Sequence, residues 1–392
     1  MTTNALRRPL AWDKDPVKKP RPQMFGRASR AASPHGRSYF SLLRESALLR
    51  LGAGCLSFDE YAGLRLFDDV LYAGADKQAF VGLKASRKIW LQANHRVDLF
   101  SLVSNKISSG ILFATHGFPI LPMIGLFHEQ VGMPCDFLLR NDRELCAFLT
   151  KSEHYPLFGK PIDGCRSIGS ASIDRYDAAN DRLVTTTGLE ISLDAFISFV
   201  KTSSASGYLF QKRVSPHAQV REICGDRLAT VRLLTIVDRE GPKLIRACWK
   251  IPAGVNSADN FWRPGNLLAQ LDLESGRIMR VVRARGADYE EITHHPDTGT
   301  CILGTVVPNW QHVRLLAVEG AKVLKDIPLV GWDIAPVDSG AVMVEPNVTP
   351  DFSLHQVADR RGILDETFKR FLQERKAHAT ATLRTAKQSL AQ

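Results

Sequence analysis

Nothing in this 392-residue sequence approaches the roughly 20 consecutive apolar residues that cross a bilayer. No apolar segment follows the basic N-terminus, so a secretory signal is not expected and the cytoplasm is the default location. C-x-x-C pairs are also lacking. The seven cysteines (Cys55, Cys135, Cys146, Cys165, Cys224, Cys248, Cys301) are scattered and odd in number, which argues against a disulfide framework and a zinc ribbon. There is no G-K-[ST] and hence no Walker A loop. The neighbours His294 and His295 precede Pro296 and a turn at residues 297–299, the setting of a loop rather than a metal centre.

What is present is ordinary for a soluble globular protein: 44% hydrophobic and 23% charged residues, in a chain long enough for two or three packed subdomains. The net charge of +10 is unevenly placed, because residues 1–37 hold nine Lys or Arg against Asp13 and Asp15. That segment has several prolines and almost no apolar periodicity, which predicts a disordered basic leader. Contact with nucleic acid or an anionic membrane surface is the alternative reading of the same charge.

From residue 38 to 105 the pattern is helical. Ser57 and Glu60 form a capping-box signature ahead of Phe58, Tyr61, Leu64, Phe67 and Leu71 at helical spacing, and residues 87–102 repeat the pattern less clearly. After Lys106 short strands and helices alternate, with a helix at 142–151 and another capped by Ser192. From Tyr208 to Val348 strands dominate, separated by turns such as Glu274-Ser275-Gly276. A helix at about 365–375 and a frayed tail beyond Ala377 close a C-terminal segment, 356–392. The fold class is α+β, with a mixed or antiparallel sheet in the C-terminal half and a main domain over 106–355.

Four stretches carry chemistry. Asp333, in Gly331-Trp332-Asp333-Ile334-Ala335, precedes Glu345-Pro346-Asn347, with a turn at Asp338-Ser339-Gly340 between them. Glu345 and Asn347 leave one face of a strand, and Asp333 can reach that face from its neighbour. Three such oxygen ligands suit Mg²⁺ completed by phosphate and water, and a hairpin with a polar outer face would look the same. Lys160 ends an apolar strand and enters a loop with Gly164 and Gly169, which suits a phosphate cradle or a plain surface turn. Leu209 to Val214 suits either an adenine-binding hinge or an edge strand. Arg232 lies in the alternating strand Thr230 to Thr235, an expensive position for a charge that phosphate binding would justify.

Taken in order, these elements resemble the ATP-grasp superfamily, and most closely its sugar-transfer-associated group, related to the α-L-glutamate ligases. The resemblance covers about residues 100–355. It is carried by Gln211 to His217, Thr230-Val231-Arg232-Leu233-Leu234-Thr235, Asp259-Asn260, His295-Pro296-x-x-Gly299, Val307-Pro308-x-Trp310, and Gly331-Trp332-Asp333-Ile334-Ala335 with Glu345-x-Asn347. It implies two α+β subdomains clamping ATP behind a helical N-terminal region. Lys106 and Lys160 would be the ATP lysines, Gly164 and Gly169 the phosphate-covering loop, and Gln211, Lys212, Val214 and His217 the adenine side. Asp333, Glu345 and Asn347 would hold Mg²⁺, and Arg232 would contact the transferred phosphate.

The implied reaction is an ATP-dependent carboxylate–amine ligation through an acyl phosphate, on small-molecule acid and amine substrates. A phosphotransferase with a hydroxyl acceptor and a silent nucleotide-binding protein are the rival readings. Two departures stand out: Gln211 replaces a frequent Glu, and Phe261-Trp262-Arg263-Pro264-Gly265-Asn266 replaces paired glycines in a loop expected to face the substrate.

Overall fold

The computed structural model describes residues 37–128, 136–162, 169–203, 206–256, 258–285 and 288–390. The expected leader (except Arg37) and the loop that contains Gly164 lie outside them. Arg37, the last residue of that leader, belongs to the folded body: its guanidinium donates to Glu45 (2.9 Å) and to the Phe67 carbonyl (3.2 Å).

The helical region forms as its caps dictate. Helix α1 (Tyr39–Leu51) starts at Ser38, whose hydroxyl accepts from the Ser41 amide. Helix α2 (Phe58–Gly63) carries the expected capping box. The second oxygen of Glu60 accepts from the Leu83 amide (2.7 Å) and so fixes the start of α3 (Leu83–Ala93). The expected helix over 87–102 stops at Ala93, because the fully buried Asn94 serves the sheet instead. Its amide donates to the Leu329 and Val348 carbonyls (2.9 and 3.2 Å) and accepts from the Leu329 amide (2.9 Å). Asn94→Ala strands these buried groups, and chemical denaturation should register a loss of about 1–3 kcal/mol for each one left unsatisfied. Helices α4 (Phe100–Ser104) and α5 (Lys106–Thr115) follow, the second capped by Asn105.

The first sheet contains β1 (Met123–Phe127), β2 (Leu138–Leu139), β3 (Leu157–Pro161), β4 (Ala171–Asp177), β5 (Arg182–Thr185), β6 (Glu190–Ser192) and β7 (Tyr208–Lys212). Its order is β2-β1-β7-β3-β4-β5-β6, antiparallel except for the β1–β2 pair. Helices α6 (Asp142–Leu149) and α7 (Leu193–Ser203) pack Phe148, Phe196 and Val200 against Tyr208 and Phe210.

After α8 (Ala218–Cys224) comes a second sheet: β8 (Val231–Asp238), β9 (Gly241–Ile251), β10 (Leu267–Leu271), β11 (Ile278–Arg285), β12 (Asp288–Glu291), β13 (Leu329–Val337) and β14 (Gly340–Asn347). It is antiparallel throughout, in the order β12-β11-β10-β9-β8-β13-β14. Two helices fall where strands or loop were expected: α9 (Trp310–Val323) and α10 (Phe352–Asp359). Helix α9 buries Trp310, Val313, Ala317 and Ala321 on one face of the sheet. Gly320 permits that approach, since a Cβ there would lie 2.8 Å from the Trp332 ring.

The last helix, α11, runs from Glu366 to Leu390, well past the expected stop near Arg375 and through the expected frayed tail. It returns to the N-terminal region: Gln92 donates to the Leu372 carbonyl (2.9 Å) and Arg375 to the Ala93 carbonyl (3.0 Å). The chain ends expected as separate regions therefore share one core on the second sheet, through Ile89, Leu234, Phe368 and Phe371. No single described helix is long and apolar enough to cross a membrane. Backbone hydrogen bonds from His217 to Pro336 and from Met343 to Pro119 tie the segments flanking the first sheet to β13 and β14 of the second.

Candidate functional site

A cavity of about 1690 Å³ opens between the sheets. Its first wall comes from β3, where Leu157, Gly159 and Pro161 are buried in the sheet and the alternation leaves Phe158 and Lys160 lining the cavity. Lys106, the first residue of α5, donates from Nζ to the Ile162 carbonyl just beyond β3 (2.9 Å) and lines the same space. Burial pushes the Lys160 ammonium down to about 8, with the Lys106 charge acting in the same direction and Glu345 and Asp333 opposing it. Among the described residues the Lys160 side chain has no hydrogen-bond or ion-pair partner.

The opposite wall is built across strands. Asp333 on β13 lies directly opposite Arg232 on β8 and Glu345 on β14, and Asn347 lies opposite Gly331. All of these line the cavity except Gly331, where a Cβ would stand 2.9 Å from Pro350 Cβ.

The structure adds partners that the sequence reading did not foresee. Asp333 is already paired: Arg232 grips it through two hydrogen bonds (Nε–Oδ1 2.6 Å, NH2–Oδ2 2.8 Å), and Lys250 Nζ stands 3.1 Å from Oδ2. Burial alone would raise this carboxyl, and the two cations more than reverse that, holding it well below the usual carboxylate range. Lys250 also reaches Asp259 (3.6 Å), which accepts from the Thr230 amide at 2.8 Å. Burial keeps the Asp259 carboxyl raised even beside Lys250.

Lys250 was missed in the sequence. The signal that singled out Arg232, a charge inside an alternating buried strand, is equally present in Cys248-Trp249-Lys250-Ile251. Glu345 has no hydrogen-bond or ion-pair partner among the described residues, and the buried Asn347 Nδ2 has none either. These two are the uncommitted polar side chains of the expected metal set.

The expected adenine side divides. Gln211 and Val214 line the cavity; Gln211 donates to the Leu121 carbonyl (3.3 Å) and leaves a buried Oε1 without a partner. Lys212 also borders the cavity, but its ammonium is spent on the Glu153 and Tyr155 carbonyls (2.6 and 2.7 Å). His217 is not brought to the cavity: it is the N-cap of α8, its ring accepting from the Gln219 amide. Gly169 stays outside the lining too. With φ of +72° it packs on Pro161 while its carbonyl accepts from the Tyr208 hydroxyl (2.9 Å). His295 is buried, and its Nε2 lies 3.0 Å from the Pro252 carbonyl.

The departing loop does frame the cavity. Asn266, fully buried, donates to the Ala258 and Asn260 carbonyls (2.8 Å each) and accepts from the Ala253 amide (2.9 Å), which pins the loop that carries Trp262. The Trp262 indole donates to Asp351 (3.0 Å), and both line the far end of the cavity.

The family described as sugar-transfer associated ATP-grasp matches residues 85–371. No curated protein matches the chain. Among solved structures, similar ones include an ADP complex of purK, an N5-carboxyaminoimidazole ribonucleotide synthetase, at 13% identity and a TM-score of 0.37, over 65% of this chain and 47% of that one. The D-alanine–D-alanine ligase of Bacillus anthracis is 14% identical, with a TM-score of 0.38, over 71% of this chain and 68% of that one. The ATP-grasp ligase PsnB, solved with minimal precursor, Mg and ADP, is 12% identical, with a TM-score of 0.36, over 72% and 62%. This chain thus spans about half the length of the purK protein.

Proposed function

We propose that this chain, which belongs to the sugar-transfer-associated ATP-grasp family, is an ATP-dependent ligase that joins a carboxylate to an amine through an acyl phosphate. The observation that carries this reading is the half-buried ammonium of Lys160, without a hydrogen-bond or ion-pair partner among the described residues, in the cavity that also holds the uncommitted Glu345 and Asn347. A partly desolvated cation with no counter-ion among the described residues suits an anion, and a polyphosphate supplies one.

Magnesium is tested by the donor set. Glu345 and Asn347, two residues apart on one strand, fit a hard cation, whereas Asp333 would have to share oxygens already held by Arg232 and Lys250. The ion would neutralise phosphate charge. Lys160 and Lys106 hold the phosphates at the end of β3. Arg232, oriented by Asp333 through Nε and NH2, keeps NH1 for the transferred group.

In the first step a substrate carboxylate oxygen bonds to the γ-phosphorus and ADP leaves. In the second the amine attacks the acyl carbon and phosphate leaves. Positioning and charge do the work, without a covalent nucleophile from the protein.

An ADP-release screen over amino acids and sugar acids, with hydroxylamine as trap, tests the proposal. ADP release that requires an acid, with a hydroxamate formed in the absence of amine, is expected. Turnover supported by a hydroxyl acceptor alone would overturn the ligase in favour of a phosphotransferase.

Lys160→Met keeps the aliphatic stem and removes the charge. It should weaken ATP binding about tenfold or more while leaving adenosine binding nearly unchanged, as read by titration calorimetry. In the wild type, ATP affinity should fall as pH rises through about 8, where Lys160 gives up its proton. The variant should lose that dependence. The sign for stability is opposite. The unfolded chain holds this proton up to about 10.5, so the ligand-free protein gains stability from Lys160 as pH climbs from about 8 to 10.5. Equal losses for ATP and adenosine would sink the phosphate role.

A further inference from the structure

We propose that the outer face of α1 is a docking surface for an anionic membrane. Helix α1 is apolar on both sides. Leu42 and Leu49 face the body, while Phe40 (78% exposed), Leu43 (40%) and Leu51 (85%) face outward together with the exposed Ala47. At 3.6 residues per turn these four outward residues fall within about 80° of the circumference, a continuous stripe along the helix.

Two exposed arginines border the stripe. Arg50 falls on one side of it and Arg44 on the other, with Leu48 (53% exposed) just beyond Arg44. The only acid in the helix, Glu45, is turned away and neutralised by Arg37 and Lys77, both at 2.9 Å. An apolar stripe flanked by long cationic side chains is the pattern of a helix lying in a lipid interface, its apolar residues among acyl chains and its guanidinium groups at the headgroups.

The charge that precedes the helix in the sequence points to the same occupant. The 36 residues that precede Arg37 hold eight Lys or Arg against two Asp. Apolar burial and a polybasic segment together make the two signals that reversible membrane attachment needs, each being weak alone. Nucleic acid would satisfy the charge and leave the stripe uncovered; a second copy would cover the stripe and add its own like charge. Neither uses both features. The surface is separate from the cavity, which none of these α1 residues lines.

Co-sedimentation of the full chain with vesicles tests this. Binding to phosphatidylcholine vesicles with about one third phosphatidylglycerol is expected, with weak binding to phosphatidylcholine alone and loss at high salt. The double variant Phe40→Glu/Leu51→Glu should bind at least about tenfold more weakly with an unchanged melting curve and ATP turnover, since both side chains are exposed. Arg44→Glu/Arg50→Glu should weaken the preference for anionic vesicles, with the basic segment ahead of the helix still in place.

The proposal is overturned if the full chain does not bind, or if the Phe40/Leu51 variant binds as well as the wild type. It is also overturned if an anionic duplex binds as tightly and competes regardless of that variant. A concentration-dependent dimer abolished by the same variant would assign the stripe to a second copy instead.

Discussion

Glu345→Gln is expected to lower ADP release by about 10²–10³-fold with the melting temperature almost unmoved. The two side chains have nearly the same shape, and Glu345 has no hydrogen bond or ion pair among the described residues for the change to break. What is lost is one negative charge at the end of β14, beside the orphaned amide of Asn347. If that charge holds a divalent cation, the variant should need a higher Mg²⁺ concentration for its residual turnover and recover part of the loss as Mg²⁺ rises. Asn347→Ala should move both readouts in the same direction. Unchanged ADP release with an unchanged Mg²⁺ dependence in either variant would remove these residues from the proposed metal site.

The second large effect concerns stability. Asp333→Ala should destabilise the fold by about 3–5 kcal/mol in urea denaturation, because it leaves Arg232 and Lys250 buried without their shared counter-ion. The cost comes less from the lost attraction than from stranding the Arg232 guanidinium and leaving Lys250 with Asp259 alone. The same group predicts an acid limb. Its folded carboxyl titrates below the unfolded one, so the unfolded chain takes up the proton first and stability falls as pH drops below about 4. The variant should show a shallower loss across that window. A variant as stable as the wild type at neutral pH would mean that the Arg232–Asp333–Lys250 cluster contributes little to the fold.

The sequence by itself determined features that depend on near neighbours along the chain. The capping box at Ser57 and Glu60, the hairpin between β13 and β14, and the shared face of Glu345 and Asn347 follow from local spacing, since a cap spans one helical turn and a strand alternates every second residue. Lys160 at the end of an apolar strand was legible for the same reason, as was the α+β class.

Only the tertiary structure decided which charges meet. Arg232, Lys250 and Asp333 come from three strands whose adjacency is set by the sheet order β9-β8-β13, and no local pattern encodes that order. It made Asp333 the counter-ion of Arg232 and Lys250, while carbonyls of a loop 57–59 residues away took the Lys212 ammonium. His217 went to a helix cap, its backbone amide donating to the Pro336 carbonyl on β13. Helix α9 lay hidden among strand formers, since its apolar spacing of three and four becomes decisive only with a sheet to bury it and Trp332 to fill the space over Gly320. Local periodicity fixes where a side chain points relative to its own backbone, whereas its partner, and so its charge state and role, depends on which distant strand is brought alongside.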